Sequence, residues 1–305
     1  MKHIRYQLLL LLGAAIWGFA FVAQSVAADV LGPWTFNCLR TFIASITMVL
    51  LLPLLDKRKD VKKPSNQSDY YLLLRGGIIC GVILSIAIYL QQYGIAYTTV
   101  GKAGFLSALY VIFVPIFSIF LGKKVNVFVW IAVILAMTGI YFLSLSEAEE
   151  FAVGDLYIFA CAIVFTFHII FVGYYAPRVD PIRLATIQFM TVCVVSFLPM
   201  ILIEKPTIEE IKTAMIPILY AGVLSSSGGY TIQMVSQSKI PSYIASIIMS
   251  LESVFAALGG YLILHEAMTT REIFGAILVF VALMIAQIEI PTKKGIDQRS
   301  NSDIV

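Results

Sequence analysis

The sequence predicts an all-α integral membrane protein of ten transmembrane helices, built as an inverted five-plus-five repeat. Three observations predict it. The 305 residues are 60% hydrophobic and 13% charged, with mean hydropathy +0.91, whereas ordinary soluble domains are about half apolar and about a quarter charged. Apolar residues fall in ten blocks of roughly 20, the length that crosses a ~30 Å hydrocarbon layer as a helix. Finally, Gly81, Ser85, Tyr89 and Gln92, at spacings of four, four and three, recur as Gly222, Ser226, Tyr230 and Gln233, displaced by 141 positions (222 − 81). At ~100° per residue each set forms one helical stripe about 80° wide. Two stripes of the same residue types mark two copies of one unit.

The blocks run from about 8 to 28, 34 to 55, 71 to 94, 100 to 122, 127 to 146, 154 to 173, 181 to 203, 213 to 236, 241 to 264 and 271 to 290. Turn chemistry separates them: Leu31-Gly32-Pro33, the polar run Asp56 to Asp69, Gly122-Lys123-Lys124, Ala176 to Pro181 and Lys205-Pro206. The first unit is expected over residues 1–150 and the second over 151–290, with a polar, disordered tail at 291–305. Gly32-Pro33 heading the second block matches Asp180-Pro181 heading the seventh, displaced by 148, which sets Arg40 opposite Gln188. An odd number of helices per unit turns the second copy upside down in the membrane.

Lys2 and Arg5 precede an apolar run, as in a signal peptide, but that run continues past the usual length and has a counterpart in the second half. The four cysteines, Cys38, Cys80, Cys161 and Cys193, lie inside apolar blocks without a Cys-x-x-Cys pair, so packing as thiols is expected. Fifteen Lys and Arg residues, among them Arg5, Lys57, Arg58, Lys59, Lys62, Lys63, Lys123, Lys124, Arg178 and Arg183, fall on the side of the amino terminus. Only Lys102, Lys205, Lys212 and Arg271 fall opposite. That bias places both termini in the cytoplasm of a bacterial inner membrane. Glu147, Glu149, Glu150, Glu209 and Glu210 then face outward.

Trp17-Gly18 in the first helix, Gly32-Pro33 to Arg40 in the second, Ala96-Tyr97-Thr98 closing the third and the run Leu251 to Glu266 (LESVFAALGGYLILHE) resemble the EamA-type branch of the drug/metabolite transporter superfamily. The likeness covers the chain from about Leu8 to Gln287. It implies ten helices in an inverted repeat, with helices five and ten peripheral. It also implies export of small metabolites through a central cavity. Ser253 stands where the family often carries proline, and Gly122-Lys123 where the other half keeps His265-Glu266.

Glu252 is the acid nearest a helix centre, where an ionised carboxylate without a partner costs several kcal/mol. It lies at the edge of a small, polar face made by Ser242, Ala245, Ser246, Ser253, Ala256 and Gly260. Glu252 is therefore the candidate for proton coupling or for a substrate ammonium, the plainer alternative being a neutral acid tying two helices together. Ser85, Tyr89 and Ser226 are candidate substrate contacts, and Gln92, Tyr230 and Gln233 candidate gates, with close helix packing as the competing explanation. Trp17 and Tyr110 fall near mid-helix, where a ring can stack on a substrate or on neighbouring side chains. His168 can relay a proton or remain a hydrogen-bonded neutral ring. Arg40 and Lys102 lie toward the outer face, where snorkelling explains them first and a substrate carboxylate second.

No catalytic, metal or cofactor motif emerges. Gly101-Lys102-Ala103 lacks the rest of a phosphate loop, and His265-Glu266 lacks the second histidine of a zinc peptidase. The Asn66-Gln67-Ser68 sequon falls on the cytoplasmic side. The expected partners are a small-molecule substrate, the lipid bilayer and protons; nucleic acid is not among them, and a monomer or a homodimer would serve. The function expected is secondary-active export of a small metabolite, an amino acid or related amine, by alternating access. An uptake carrier or exchanger of the same fold is the alternative within transport, and an intramembrane enzyme using Glu252 with His168 is the rival outside it.

Overall fold

The computed structural model describes residues 4–56, 63–98, 100–144, 152–263 and 269–286. Lys2, Lys57, Arg58, Lys59, Lys62, Glu147, Glu149, Glu150, His265-Glu266 and the tail lie outside the described residues. Every described element is helical. The chain runs α1 (Ile4–Ala28), α2 (Pro33–Leu55), α3 (Gln67–Ile95), α4 (Val100–Ser107), α5 (Tyr110–Phe120), α6 (Val127–Ser144), α7 (Val153–Tyr175) and α8 (Pro181–Pro199). It continues with a π-helical turn (Met200–Glu204), α9 (Ile208–Thr213), α10 (Met215–Leu219), a π-helical stretch (Tyr220–Tyr230), α11 (Thr231–Gln237), α12 (Ser242–Met249), α13 (Glu252–Ile263) and α14 (Thr270–Ala286). Among the described residues, seven stretches are long and apolar enough to cross a membrane. Side chains such as Phe120, Leu50 and Val194, 82%, 70% and 71% exposed, suit a lipid surface and not water.

Local signals set the ends. Pro33 and Pro181 occupy the first turns of α2 and α8, where no intrahelical N–H is lost. The carboxylate of Asp180 accepts from the Arg183 backbone N–H at 2.8 Å, and Asn66 caps α3 by accepting from Asp69 N–H at 2.9 Å. Thr207 and Glu210 close a reciprocal capping box on α9. Lys205 takes a left-handed conformation, φ 48°, just before Pro206, which cannot extend the preceding helix.

The helices pack in reciprocal fashion. α2 lies against α8 and α6 against α14; α3 packs on α7 and α8, while the segment of α10, the π stretch and α11 packs on α1 and α2. Two glycines of the repeated stripe permit matching close approaches. A Cβ on Gly81 would lie 2.8 Å from the Gln188 carbonyl and 2.5 Å from Thr191 Cβ; one on Gly222 would lie 2.9 Å from the Arg40 carbonyl and 2.9 Å from Ile43 Cβ.

α2 and α8 are tied at both ends. At one, the Glu204 carboxylate accepts from the backbone N–H of Trp34 (2.9 Å) and Thr35 (2.7 Å) and from the Thr35 hydroxyl (2.6 Å). An anion there meets the positive end of α2. At the other, Asp56 accepts from Arg183 Nη2 at 2.8 and 2.6 Å and pairs with Lys63 at 3.2 Å. Both contacting positions are displaced by 148 (204 − 56 and 183 − 35). The Arg183 hydrogen bonds hold the Asp56 carboxyl below the usual carboxylate value. A lowered folded-state value means that the stabilisation is present above the unfolded value and is lost as pH falls through the folded one. Glu204→Ala, which removes the acceptor of two α2 backbone N–H groups, should lower the thermal midpoint by the equivalent of ~1–2 kcal/mol. Asp56→Asn should cost less, because the pair keeps partial contact with solvent, and its difference from the parent protein should begin to shrink near ~pH 4, the unfolded value, and vanish only below the lower folded one.

Candidate functional site

Two broken helices build the site. The fourth and ninth apolar blocks, each expected as one span, are interrupted at Ala108-Leu109 and at Ser250-Leu251. Bonds there tighten to the three-residue type: Val111 N–H to Ala108 O at 2.9 Å, Ser253 N–H to Ser250 O at 3.2 Å. In the second case serine hydroxyls compete for the backbone, Ser250 donating to Ile247 O (2.8 Å) and Ser253 to Ser250 O (2.7 Å). Each break is followed by the residue with the functional group, Tyr110 opening α5 and Glu252 opening α13. The Tyr110 hydroxyl donates to Glu252 Oε1 at 2.9 Å, and both side chains are buried.

This pair lines an internal cavity of about 30 Å³, together with Trp17, Gln24, Arg40, Gln91, Phe165, Ile169, Ser225, Tyr230, Gln233 and Met249. The space holds a water or two and no metabolite. Its aromatic side is held firmly: Trp17 Nε1 donates to Ser225 O at 3.2 Å, and the Trp17 and Tyr230 rings lie 5.0 Å apart. Its polar side is not saturated. Gln24 Oε1, Arg40 Nε and Gln233 Oε1 are buried without a hydrogen-bond partner, unmet demands that a polar ligand can satisfy.

Of the residues expected from the sequence, Trp17, Tyr110, Tyr230, Gln233 and Glu252 come together on the cavity wall. The others sit behind it. Ser85 bonds back to Gly81 O at 2.8 Å. Tyr89 stacks on Trp34 with centroids 4.1 Å apart. Gln92 Nε2 donates to Gln24 O at 3.0 Å, tying α3 to α1. His168 Nε2 meets Gln188 Oε1 at 2.8 Å, with its ring edge-on to Tyr230 at 5.9 Å. Ser226 is buried beside Ser225, because the π-helical stretch widens the turn and brings Ser225 to the wall instead.

Arg40 and Lys102 do not snorkel. Arg40 is 2% exposed and faces the cavity. Lys102 is 6% exposed and pairs at 3.2 Å with Asp155, whose carboxylate also accepts from Thr98. Gln24, Gln91 and Arg40 carried a legible signal, since each is a polar group inside an apolar block. Phe165, Ile169 and Met249 carried none.

A bundle of apolar helices enclosing a buried, incompletely satisfied polar cavity defines a multi-pass membrane protein of the transporter type. The comparisons with known proteins agree. The model of the EamA-like transporter family matches residues 4–145 and again 152–287, and the chain belongs to that family. An uncharacterized transporter of Archaeoglobus fulgidus is 30% identical over 296 residues, covering 95% of this chain and 88% of the relative. The uncharacterized transporter YoaV of Bacillus subtilis is 26% identical over 270 residues, covering 87% and 90%. A solved crystal structure superposes with TM-score 0.76 over 93% of this chain and 97% of that one; at 15% identity the likeness is one of fold.

Proposed function

We propose that the protein is a secondary-active carrier of ten membrane-crossing helices in two inverted halves, exporting a small metabolite by alternating access. An amino acid or a related amine is the favoured cargo. Glu252 carries the coupled proton or faces the substrate ammonium. The proposed setting is a bacterial inner membrane with both termini cytoplasmic.

The observation that carries this reading is the Tyr110–Glu252 hydrogen bond. The two residues are 142 positions apart, each follows a leucine, and each opens the helix after a break. A position that meets its own counterpart is what a two-fold axis beside the cavity would produce, and this contact supports one. The same exchange relates Gly81 against Gln188 and Thr191 to Gly222 against Arg40 and Ile43. It also relates Glu204 on Thr35 to Asp56 on Arg183. These ties run from the end of α2 to the start of α8 and from the turn after α8 to the start of α2, which supports an antiparallel arrangement of the two halves. Such a construction, with discontinuous helices meeting at mid-depth, suits a carrier whose halves rock about a central site.

The glutamines of the two stripes then act at opposite mouths of the cavity. Gln92 ties α3 to α1, whereas Gln233 donates to Gln237 Oε1 at 2.9 Å and Gln237 in turn to Ile169 O at 3.0 Å, tying α11 to α7. Gln92→Ala and Gln233→Ala should bias thiol accessibility of single cysteines in the cavity in opposite directions; identical shifts would remove the gating role. Flux of candidate metabolites into proteoliposomes at two pH values tests the carrier reading itself. Saturable uptake that needs a closed vesicle supports it, while turnover in detergent solution, without a compartment, would favour an enzyme.

A further inference from the structure

We infer that Arg40 is the specificity-determining residue of this carrier, the anchor for an anionic group, in the first instance a carboxylate, that the substrate must bring. The inference rests on the carrier reading and narrows its cargo: a plain amine would not do.

Arg40 belongs to α2 and is 2% exposed, so its guanidinium does not reach water at either membrane face. It is a cavity-lining residue, its Nε has no partner, and its guanidinium lies 5.3 Å from the centroid of the Phe36 ring. Among the described residues no ion pair joins it to an acid, Glu252 included, whose Oε1 accepts from Tyr110. The two-fold counterpart of Arg40 is Gln188, which is neutral and already bonded to His168. The cation is thus a one-sided feature of an otherwise symmetric construction.

A guanidinium in a low-dielectric interior without a counter-charge is a standing cost to the fold. Five N–H donors in a fixed fork match one planar oxyanion in a bidentate manner. With Arg40 and Glu252 both on the wall, the cavity offers a cation and an acid to one ligand. A small zwitterion uses both; its decarboxylated amine leaves Arg40 unpaired, and its deaminated acid leaves Glu252 without its ammonium. Discrimination against an analogue that leaves a buried polar group unpaired is large, on the order of 10⁴ where a site is built for it.

The test uses three matched probe sets on the full-length protein: the common L-amino acids, the primary amines left by removing their carboxylate, and the acids left by removing their amino group. Ligand-induced thermal shift in detergent reports binding, and counterflow in proteoliposomes reports transport. The expected result is that probes with a carboxylate bind and move and the matched amines are at least tenfold weaker. Arg40→Gln should lose that preference at least tenfold, and Arg40→Lys should retain part of it. Arg40→Met should raise the thermal midpoint of the unliganded protein while abolishing the ligand-induced shift, the opposite of what loss of a structural arginine does. Amines handled as well as amino acids, preference intact in Arg40→Gln, or no response to any carboxylate probe would overturn the assignment. Binding without flux would sink the carrier reading and leave the Arg40 contact standing; flux of the amines alone would do the reverse.

Discussion

Replacing Glu252 by glutamine should reduce transport by ten- to a hundredfold and flatten its dependence on pH, with the protein still folded. The amide is nearly isosteric and can still accept from the Tyr110 hydroxyl, which lies 2.9 Å from Oε1 in the parent. What it loses is the exchangeable proton and the negative charge. A hydrogen bond to a charged group contributes ~1.5–3 kcal/mol, which is about ten- to a hundredfold in a binding constant at ~1.4 kcal/mol per decade. The neighbouring change Tyr110→Phe removes the hydroxyl but leaves the acid, so it should weaken transport less and preserve the pH dependence. Initial rates in proteoliposomes at two pH values separate the two variants. Undiminished flux with an unaltered pH profile in Glu252→Gln would remove Glu252 from the mechanism.

Gly18→Leu should abolish folded protein, and Gly18→Ala should lower the thermal midpoint by the equivalent of ~1–3 kcal/mol, the usual cost of overpacking a tight contact. A Cβ at this position would lie 2.3 Å from Phe255 Cβ, 2.6 Å from the Glu252 carbonyl oxygen and 2.7 Å from the Ala256 nitrogen. Two of the three atoms are backbone, so no rotamer relieves the clash and α1 must part from α13. Gly13, one turn and a half earlier on the same helix, is the control. Its nearest neighbour would be Ile232 Cγ2 at 3.4 Å, the end of a side chain. Gly13→Ala should be neutral or stabilising, because alanine is the better helix former by ~1 kcal/mol. Fluorescence-detected size exclusion and melting of the purified variants check both. Equal tolerance at the two positions would contradict the close approach of α1 to α13.

Much of this construction is legible in the residues, and what is not has a physical reason. The stripe from Gly81 to Gln92 and its twin from Gly222 to Gln233 reveal the repeat, because a close cross-half contact demands glycine in both copies. Leu109-Tyr110 and Leu251-Glu252 stand at matching positions, yet nothing local announces the first opening, and only Ser250 and Ser253 hint at the second. Neither break contains glycine or proline. Arg40 reads from the sequence as a snorkelling cation, since distance from a helix end is visible there and the direction of the side chain is not. Likewise, the π-helical widening at Tyr220–Tyr230 shifts Ser225 to the wall in place of Ser226. It follows the triple serine and paired glycine of a segment weak in helix formers, which a fixed ~100° per residue cannot anticipate.

The inversion of the two halves is tested most directly by single-cysteine labelling with a membrane-impermeant maleimide in sealed vesicles of known orientation. Asp29, exposed just before α2, and Arg178, exposed just before α8, hold corresponding places in the two copies. In a background without other cysteines, Asp29→Cys should react only from the periplasmic side and Arg178→Cys only from the cytoplasmic side. Reaction of both from the same side would contradict the inverted repeat and, with it, the central site between opposed halves.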